Sequence, residues 1–224
     1  MKVKICCISS IDEAQMAISA GAGAIGLVAD MPSGPGVIPK DLISEISAWA
    51  AGKVERFLLT SAQDADRIIA QQQRCKVDTL QLCDTLPLEA YARLRAALPN
   101  IRLVQVIHVT GPASLEEALA VAPHVDTMLL DSGNPSLAKK ELGGTGRVHN
   151  WNLSARITGT STVPVYLAGG LNSGNVAGAI ETANPQGVDV CSGVRAGGRL
   201  DGKKLADFMG AVRAATPAKT ASIT

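Results

Sequence analysis

The chain has 224 residues, of which 46% are hydrophobic and 18% charged, and its formal net charge is +1. This length predicts one globular domain, and the balanced charge gives no sign of nucleic acid or a membrane surface as a partner. No apolar run reaches the ~20 residues that a membrane-spanning helix needs. The five cysteines are an odd number and two of them are adjacent, which argues against a disulfide scaffold and predicts reduced thiols in the cytoplasm.

Short β-rich runs alternate with amphipathic helical patterns along the chain. The predicted strands are Val3–Cys7, Ala24–Ala29, Glu55–Thr60, Thr79–Cys83, Leu103–Val109, Thr127–Asp131, Val163–Ala168 and Val188–Ser192. The predicted helices are Ile11–Ala20, Lys40–Ala50, Ala65–Gln73, Leu88–Leu98, Leu115–Ala122, Asn152–Thr158, Asn175–Thr182 and Leu205–Ala215. Two segments, Ser10–Glu13 and Ser114–Glu117, have the pattern of a capping box and predict helix starts.

Strict alternation of strands and helices predicts a parallel sheet, and this number of units predicts a single (β/α)₈ TIM barrel. We expect the barrel to span residues 1–215 and a flexible tail to follow at 216–224. The rival is an open doubly wound sheet, which would need a glycine-rich turn after the first strand, where this chain has Cys-Cys-Ile-Ser. The composition leaves open whether the protein is a monomer or a homodimer.

The active site of such a barrel lies at the carboxyl ends of its strands. Cys6 and Cys7 end the first strand, and because side chains alternate, only one of them is expected to point into the barrel mouth. The other is expected to pack outward against the helices. Asp131 ends the sixth strand after two leucines, where an acid is costly to bury without a function or a partner.

Glycine-rich segments follow the seventh and eighth strands, the two places where this fold commonly binds phosphate. Gly169–Gly170 and Ser192–Gly193 would let a ligand approach backbone N–H groups closely. We therefore predict a phosphate site there. His108 ends the fifth strand, and the sequence leaves open whether it faces the site.

Five segments together resemble the signature segments of phosphoribosylanthranilate isomerases, which are (β/α)₈ enzymes of tryptophan biosynthesis that carry out an Amadori rearrangement. They are Lys4–Cys6, Leu129–Asp131, Gly143–Gly146, Leu167–Asn172 and Asp189–Val194, in order along nearly the whole chain. The resemblance implies a small phosphorylated sugar-amine substrate, no cofactor, Cys6 as the general base and Asp131 as the general acid. The predicted site then comprises Cys6 and Asp131, the phosphate residues Gly169, Gly170, Ser192 and Gly193, and the substrate contacts Gln81, Cys83, His108 and Gly144.

The sequence departs from the family pattern where that family recognises anthranilate. Cys7 stands where glycine is usual, and the segment Met31–Val37 lacks the arginine that contacts the anthranilate carboxylate in the family. Lys40 or Arg195 could supply the missing cation. Two alternatives follow: an isomerase of a related phosphosugar amine without that carboxylate, or a non-catalytic barrel that binds a phosphorylated metabolite.

A zinc site is a further alternative, because four potential ligands end strands at the same rim. Cys6, Cys83, Cys191 and His108 could form a Cys₃His site. The sequence has no Cys-x-x-Cys spacing, and the first and fourth strands lie across the barrel from each other. We therefore predict no metal.

Overall fold

Eight parallel strands close into a barrel in the computed structural model, which describes residues 1–216. The strands are β1 Lys2–Ile5, β2 Ala24–Val28, β3 Glu55–Thr60, β4 Thr79–Leu82, β5 Arg102–His108, β6 Thr127–Asp131, β7 Val165–Leu167 and β8 Gly187–Val190. Each strand pairs with the next in the chain, and β8 pairs with β1 to close the ring. The predicted (β/α)₈ barrel is confirmed.

Eight helices surround the strands. They are α1 Ile11–Ser19, α2 Lys40–Ala50, α3 Ala65–Cys75, α4 Leu88–Ala97, α5 Ala113–Val121, α6 Trp151–Thr160, α7 Val176–Ala183 and α8 Gly202–Ala215. In residues 1–216, none of these helices has both the length and the apolar character that crossing a bilayer requires. The division of the chain into a barrel and a tail stays a prediction, since positions 217–224 lie outside the described residues.

Two buried clusters form the core. The larger one fills the space between the strands and the helices, and the smaller one lies inside the barrel. The inner cluster includes Phe57, Leu59 and Tyr166 together with the thiols of Cys6, Cys7 and Cys83. The residues that the sequence predicts at the site are therefore continuous with the packed barrel interior.

Strand and helix ends differ from the sequence prediction where the backbone turns locally. Strand β1 ends before Cys7, whose φ of 63° is left-handed and breaks the extended conformation. Strand β8 ends at Val190, because the chain turns at Cys191 into a short 3₁₀ helix, Ser192–Val194. The sequence did not indicate that helix, nor the hairpin of β9 Arg195–Ala196 and β10 Arg199–Leu200 that follows it.

One of the two predicted capping boxes forms the expected cap. The Ser10 hydroxyl accepts a hydrogen bond from the Glu13 N–H, which caps α1. The second prediction is wrong, because α5 begins one residue before Ser114. The Ser114 hydroxyl instead donates to the carbonyl of His108 and accepts from the Thr110 N–H, so it ties the helix to the end of β5.

The Cys6 sulfur packs directly against Gly26 on β2, which has no side chain to exclude it. A Cβ at Gly26 would lie 2.9 Å from that sulfur and 3.2 Å from Lys4 Cε. We expect Gly26→Ala to lower the free energy of unfolding by about 1–3 kcal/mol, because the packed interior has no room to relax. Chemical denaturation measures this change.

The matched control is Gly210→Ala in the middle of α8, where an added Cβ meets no atom within 4 Å. We expect it to raise stability by about 0.5–1 kcal/mol, since alanine is the better helix former. Equal effects of the two substitutions would contradict the packing argument.

Candidate active site

A cavity opens at the carboxyl ends of the barrel strands. Eight of the ten predicted site residues line it: Cys6, Gln81, Cys83, Asp131, Gly144, Gly169, Gly170 and Ser192. His108 and Gly193 are not part of its wall. The barrel therefore brings most of the predicted residues together from five strand ends, while their chemical roles stay predictions.

Cys6 lies at the edge of the barrel interior. Its N–H donates to the Val190 carbonyl at 2.8 Å, so the backbone of β1 continues its pairing with β8 as far as this residue. The sulfur lies over Gly26, and the side chain is buried. This places a thiol on the floor of the cavity.

Cys7 also lines the cavity, which corrects the expectation that one cysteine of the pair packs outward. The alternation of side chains holds only for extended backbone, and the left-handed φ of Cys7 turns its side chain back toward the mouth. A side chain with a Cβ adopts this conformation at a cost, which explains why glycine is usual here in the family that the sequence resembles. The Cys7 sulfur lies 2.6 Å from that of Cys191.

The two carboxylate oxygens of Asp131 have different surroundings. Its Oδ1 accepts from the N–H of Ser132 at 2.6 Å. Its Oδ2 lies beside Gly143, where an added Cβ would come within 2.6 Å of that oxygen. Because β6 and β1 are three steps apart around the barrel, the Asp131 carboxylate and the Cys6 thiol line the cavity from different sides.

A buried ion pair lies beneath Cys6. The Lys4 Nζ is 2.8 Å from Asp189 Oδ2 and 5.3 Å from the centroid of the Phe57 ring. Burial by itself would lower the pKa of Lys4, but the Asp189 carboxylate and the neighbouring Cys6 raise it above its usual value. Lys4 therefore remains charged inside the barrel, a feature that the sequence did not reveal because alternation left its direction open.

The two glycine-rich strand ends differ in what they offer a ligand. Gly169 and Gly170 have φ values of 81° and 63°, and within the described part of the chain their N–H groups donate to no protein acceptor. Gly193 instead packs against the carbonyl of Leu171, which an added Cβ would approach to 2.0 Å. Glycine at 193 is thus explained by close backbone packing.

His108 is buried but is not brought to the cavity. Its Nε2 lies 3.0 Å from the carbonyl oxygen of Cys83, and Gly133 covers its Nδ1 so closely that a Cβ there would lie at 2.4 Å. Gln81 does reach the cavity, and its buried Oε1 has no partner in the described residues.

Two loops meet over the cavity. The Ser33 hydroxyl donates to the Lys140 carbonyl at 2.6 Å, and Gly144 packs against Pro35.

Within residues 1–216, the cavity wall contains no arginine, lysine or histidine side chain. Lys40, one of the two suggested substitutes for the missing arginine, pairs with Asp30 at 3.4 Å and is not in the wall.

Arg195, the other suggested substitute, is also directed away from the cavity. Its guanidinium donates to both carboxylate oxygens of Glu13 at 3.1 Å and to the backbone carbonyls of Cys6 and Cys7. Glu13 also accepts from the N–H groups of Ser9 and Leu200. Arg195 therefore anchors the end of β1 rather than a ligand.

The zinc alternative is not formed. Among the residues that the structure describes, no three histidine, cysteine, aspartate or glutamate side chains come together as a metal site. His108, one of the four ligands considered, bonds to the backbone of Cys83 outside the cavity wall.

A (β/α)₈ barrel whose cavity holds a thiol and a carboxylate on separate strand ends has the arrangement typical of barrel enzymes, whose sites lie at the carboxyl ends of the strands. The family model described as N-(5'-phosphoribosyl)anthranilate (PRA) isomerase matches residues 3–211. The chain belongs to the phosphoribosylanthranilate isomerase family. Members of this family are aldose–ketose isomerases of tryptophan biosynthesis, so the predicted family and enzyme class are confirmed.

Relatives from several organisms resemble the chain over most of its length. The N-(5'-phosphoribosyl)anthranilate isomerase 2 of Methanosarcina mazei is 34% identical over 211 residues, which cover 93% of this chain and 92% of the relative. The isomerase of Microcystis aeruginosa is 34% identical over 208 residues, covering 92% and 94%. The crystal structure of the isomerase from Thermotoga maritima is 26% identical, with a TM-score of 0.82 and coverage of 96% and 99%.

The Arg195–Glu13 pair makes a prediction about stability and pH. We expect Arg195→Met to lower the free energy of unfolding by about 1–3 kcal/mol at neutral pH, since it leaves the buried Glu13 carboxylate without its cation. Burial alone would raise the pKa of Glu13, but Arg195 and the two N–H donors lower it below the ordinary 4.5. This stabilisation is therefore present above about pH 4.5 and lost as the pH falls below it.

Unfolding curves from pH 3 to 7 measure the effect. The difference between wild type and Arg195→Met should shrink below about pH 4.5. Arg199→Met on the neighbouring strand is the matched control, because Arg199 is exposed and a surface change of this kind stays within about 0.5 kcal/mol. A difference that grows toward low pH would contradict the assignment.

Proposed function

We propose that this protein catalyses the Amadori rearrangement of phosphoribosylanthranilate, with Asp131 as general acid and Cys6 as general base. One observation carries the proposal: the thiol and the carboxylate line the same cavity from strands three steps apart. An aldose-to-ketose shift needs an acid and a base placed at different atoms of a small sugar. Membership of the family supports the choice of substrate.

In the first step, Asp131 donates its proton to the ribose ring oxygen. The bond from C1′ to that oxygen breaks, and the nitrogen lone pair forms a protonated Schiff base. The Cys6 thiolate then removes the C2′ proton, and the electrons of that bond give an enolamine. Tautomerisation of the enolamine yields the ketone.

The environment of each group suits its role. Oδ1 of Asp131 is held by Ser132, so Oδ2 is left to carry the proton toward the substrate. The charged Lys4 lies beneath Cys6 and brings positive charge close to the sulfur. General acid–base groups placed in this way typically contribute about 10²–10⁴-fold in rate.

The phosphate group is assigned to the ends of β7 and β8. The N–H groups of Gly169 and Gly170 lack protein acceptors in the described residues, and Ser192 adds a hydroxyl to the same wall. Gln81, Cys83 and Gly144 are proposed to contact the rest of the substrate. The five cysteines are all free, which fits a reducing cytoplasm.

A second substrate is favoured by one observation. The described cavity wall has no cationic side chain that could pair with the anthranilate carboxylate. The same acid and base would also isomerise a phosphoribosyl-amine whose aglycone lacks this group. Membership of an isomerase family gives no support to the alternative of a non-catalytic binding barrel.

The first experiment measures turnover of phosphoribosylanthranilate, generated in situ, by its fluorescence. We expect Cys6→Ala and Asp131→Asn each to lower kcat by about 10²–10⁴-fold, because each removes one proton-transfer group. Cys75→Ala is the matched control, since Cys75 is a buried thiol on α3 outside the cavity wall. Full activity of either site variant would refute its assigned role.

A comparison of two substrates tests carboxylate recognition. We measure kcat/KM for the anthranilate compound and for its aniline analogue, which lacks the carboxylate. A charge-assisted hydrogen bond is worth about 1.5–3 kcal/mol, which corresponds to roughly 10–150-fold in kcat/KM. A ratio near one is expected because the described cavity wall has no cationic side chain, and a ratio above ten in favour of anthranilate would show that another group replaces the arginine.

A further inference from the structure

Two thiols that the proposed reaction does not use meet at the mouth of the cavity. The sulfur atoms of Cys7 and Cys191 are 2.6 Å apart, and both residues line the cavity wall. Neither is the general acid or base. All five cysteines of the chain are free in this structure.

The backbone holds these two sulfurs together. The pairing of β1 with β8, called the seam because it closes the barrel, places Ile5 opposite Val190. The residues that follow the two strands are therefore neighbours across the seam. The left-handed φ of Cys7 then turns its side chain toward Cys191. An added Cβ at Gly36 would lie 2.5 Å from Cys7 Cβ, so the loop after β2 packs directly against this side chain.

We propose that Cys7 and Cys191 are a redox modification site, which closes to a disulfide between the ends of β1 and β8. A disulfide bond is about 2.05 Å long, so the sulfurs need to approach by only about half an ångström. The oxidant is a peroxide or a low-molecular-weight disulfide. The bond itself does not depend on the proposed isomerase reaction.

Cys191 is the residue placed to react first. It is partly exposed, whereas Cys7 is buried. The hydrogen bond shared with Cys7, aided by the charge of Arg195, lowers the pKa of Cys191, and the same hydrogen bond raises the pKa of Cys7. A thiolate is the reactive form of cysteine, so this arrangement favours attack by Cys191.

With hydrogen peroxide the reaction has two steps. The Cys191 thiolate attacks one peroxide oxygen, the O–O bond breaks, hydroxide leaves and a sulfenic acid forms. The Cys7 sulfur then attacks the Cys191 sulfur, the S–O bond breaks, and the thiol proton leaves with the hydroxyl group as water. In total, two thiols lose two electrons and two protons, and one peroxide becomes two waters.

Closing the bond should lower the isomerase activity, a consequence that rests on the proposed function. Cys7 follows the proposed base Cys6 directly, and Cys191 precedes the proposed phosphate residue Ser192. A displacement of about 1 Å in a catalytic group can cost on the order of 10²-fold in rate. We expect activity to fall at least tenfold and to return with dithiothreitol.

The test treats the full-length protein with hydrogen peroxide and, separately, with oxidised glutathione. Thiol titration counts the free cysteines, and mass spectrometry of a non-reduced tryptic digest looks for residues 5–40 joined to residues 157–195. The first peptide carries Cys6 and Cys7 and the second carries only Cys191. We expect the joined peptides and the loss of two thiols per chain.

Single cysteine-to-serine substitutions identify which two residues form the disulfide. Cys7→Ser and Cys191→Ser should each abolish the joined peptides, whereas Cys6→Ser and the matched control Cys75→Ser should retain them. Each variant's activity is compared with its own activity before oxidation, so a change in its basal rate does not affect the result. Oxidation should inhibit the Cys75→Ser variant as strongly as wild type and should not reversibly inhibit Cys191→Ser.

Three results would overturn the proposal. The first is the persistence of five titratable thiols after treatment with either oxidant. The second is a bond that survives in Cys7→Ser but is lost in Cys6→Ser. The third is a Cys7–Cys191 bond that forms fully without loss of activity, which would overturn its effect on the site. If the reduced wild type has no isomerase activity, the proposed function fails, while the peptide analysis still decides whether the disulfide forms.

Discussion

The pairing of β1 with β8 closes the barrel, and the rest of the site depends on it. Lys4 lies opposite Asp189 in the register of this pair, and their side chains form an ion pair inside the barrel. Removing one partner of a buried pair typically costs about 3–5 kcal/mol, because the other charge remains without compensation. The pair therefore makes one register of this seam much more favourable than a shifted one, and that register sets the position of Cys6.

The same seam carries a local strain. Cys7 adopts a left-handed conformation that costs a residue with a side chain roughly 1–2 kcal/mol. Arg195 compensates by bonding to the carbonyls of Cys6 and Cys7 while Glu13 holds its guanidinium. The guanidinium that could have bound a substrate carboxylate is thus used to hold the backbone of the site, and within residues 1–216 the charged side chains in the cavity wall are the carboxylates of Asp131 and Asp189.

The sequence predicted the fold and most of the proposed site residues that line the cavity, because both depend on local, repeated patterns. Alternating strands and helices define a (β/α)₈ barrel, and the barrel gathers whatever residues end its strands, so Cys6, Asp131 and Gly169 could be selected without a structure. The sequence prediction was wrong where the position of a side chain depends on a single backbone angle or on a partner far away in the chain. Ser114 has the sequence pattern of a helix cap, but its hydroxyl bonds to the end of β5. Arg195 forms an ion pair with Glu13, which lies 182 residues away in the chain.

By itself the sequence determined the barrel, the family and the set of strand ends that line the cavity, because periodicity and short motifs are properties of neighbouring residues. Only the tertiary structure decided which side chains enter the cavity. The left-handed turn at Cys7 brings a second thiol beside Cys191, whereas Gly133 covers His108. These outcomes depend on contacts between segments far apart in the chain, and the spacing of residues along a sequence does not encode them.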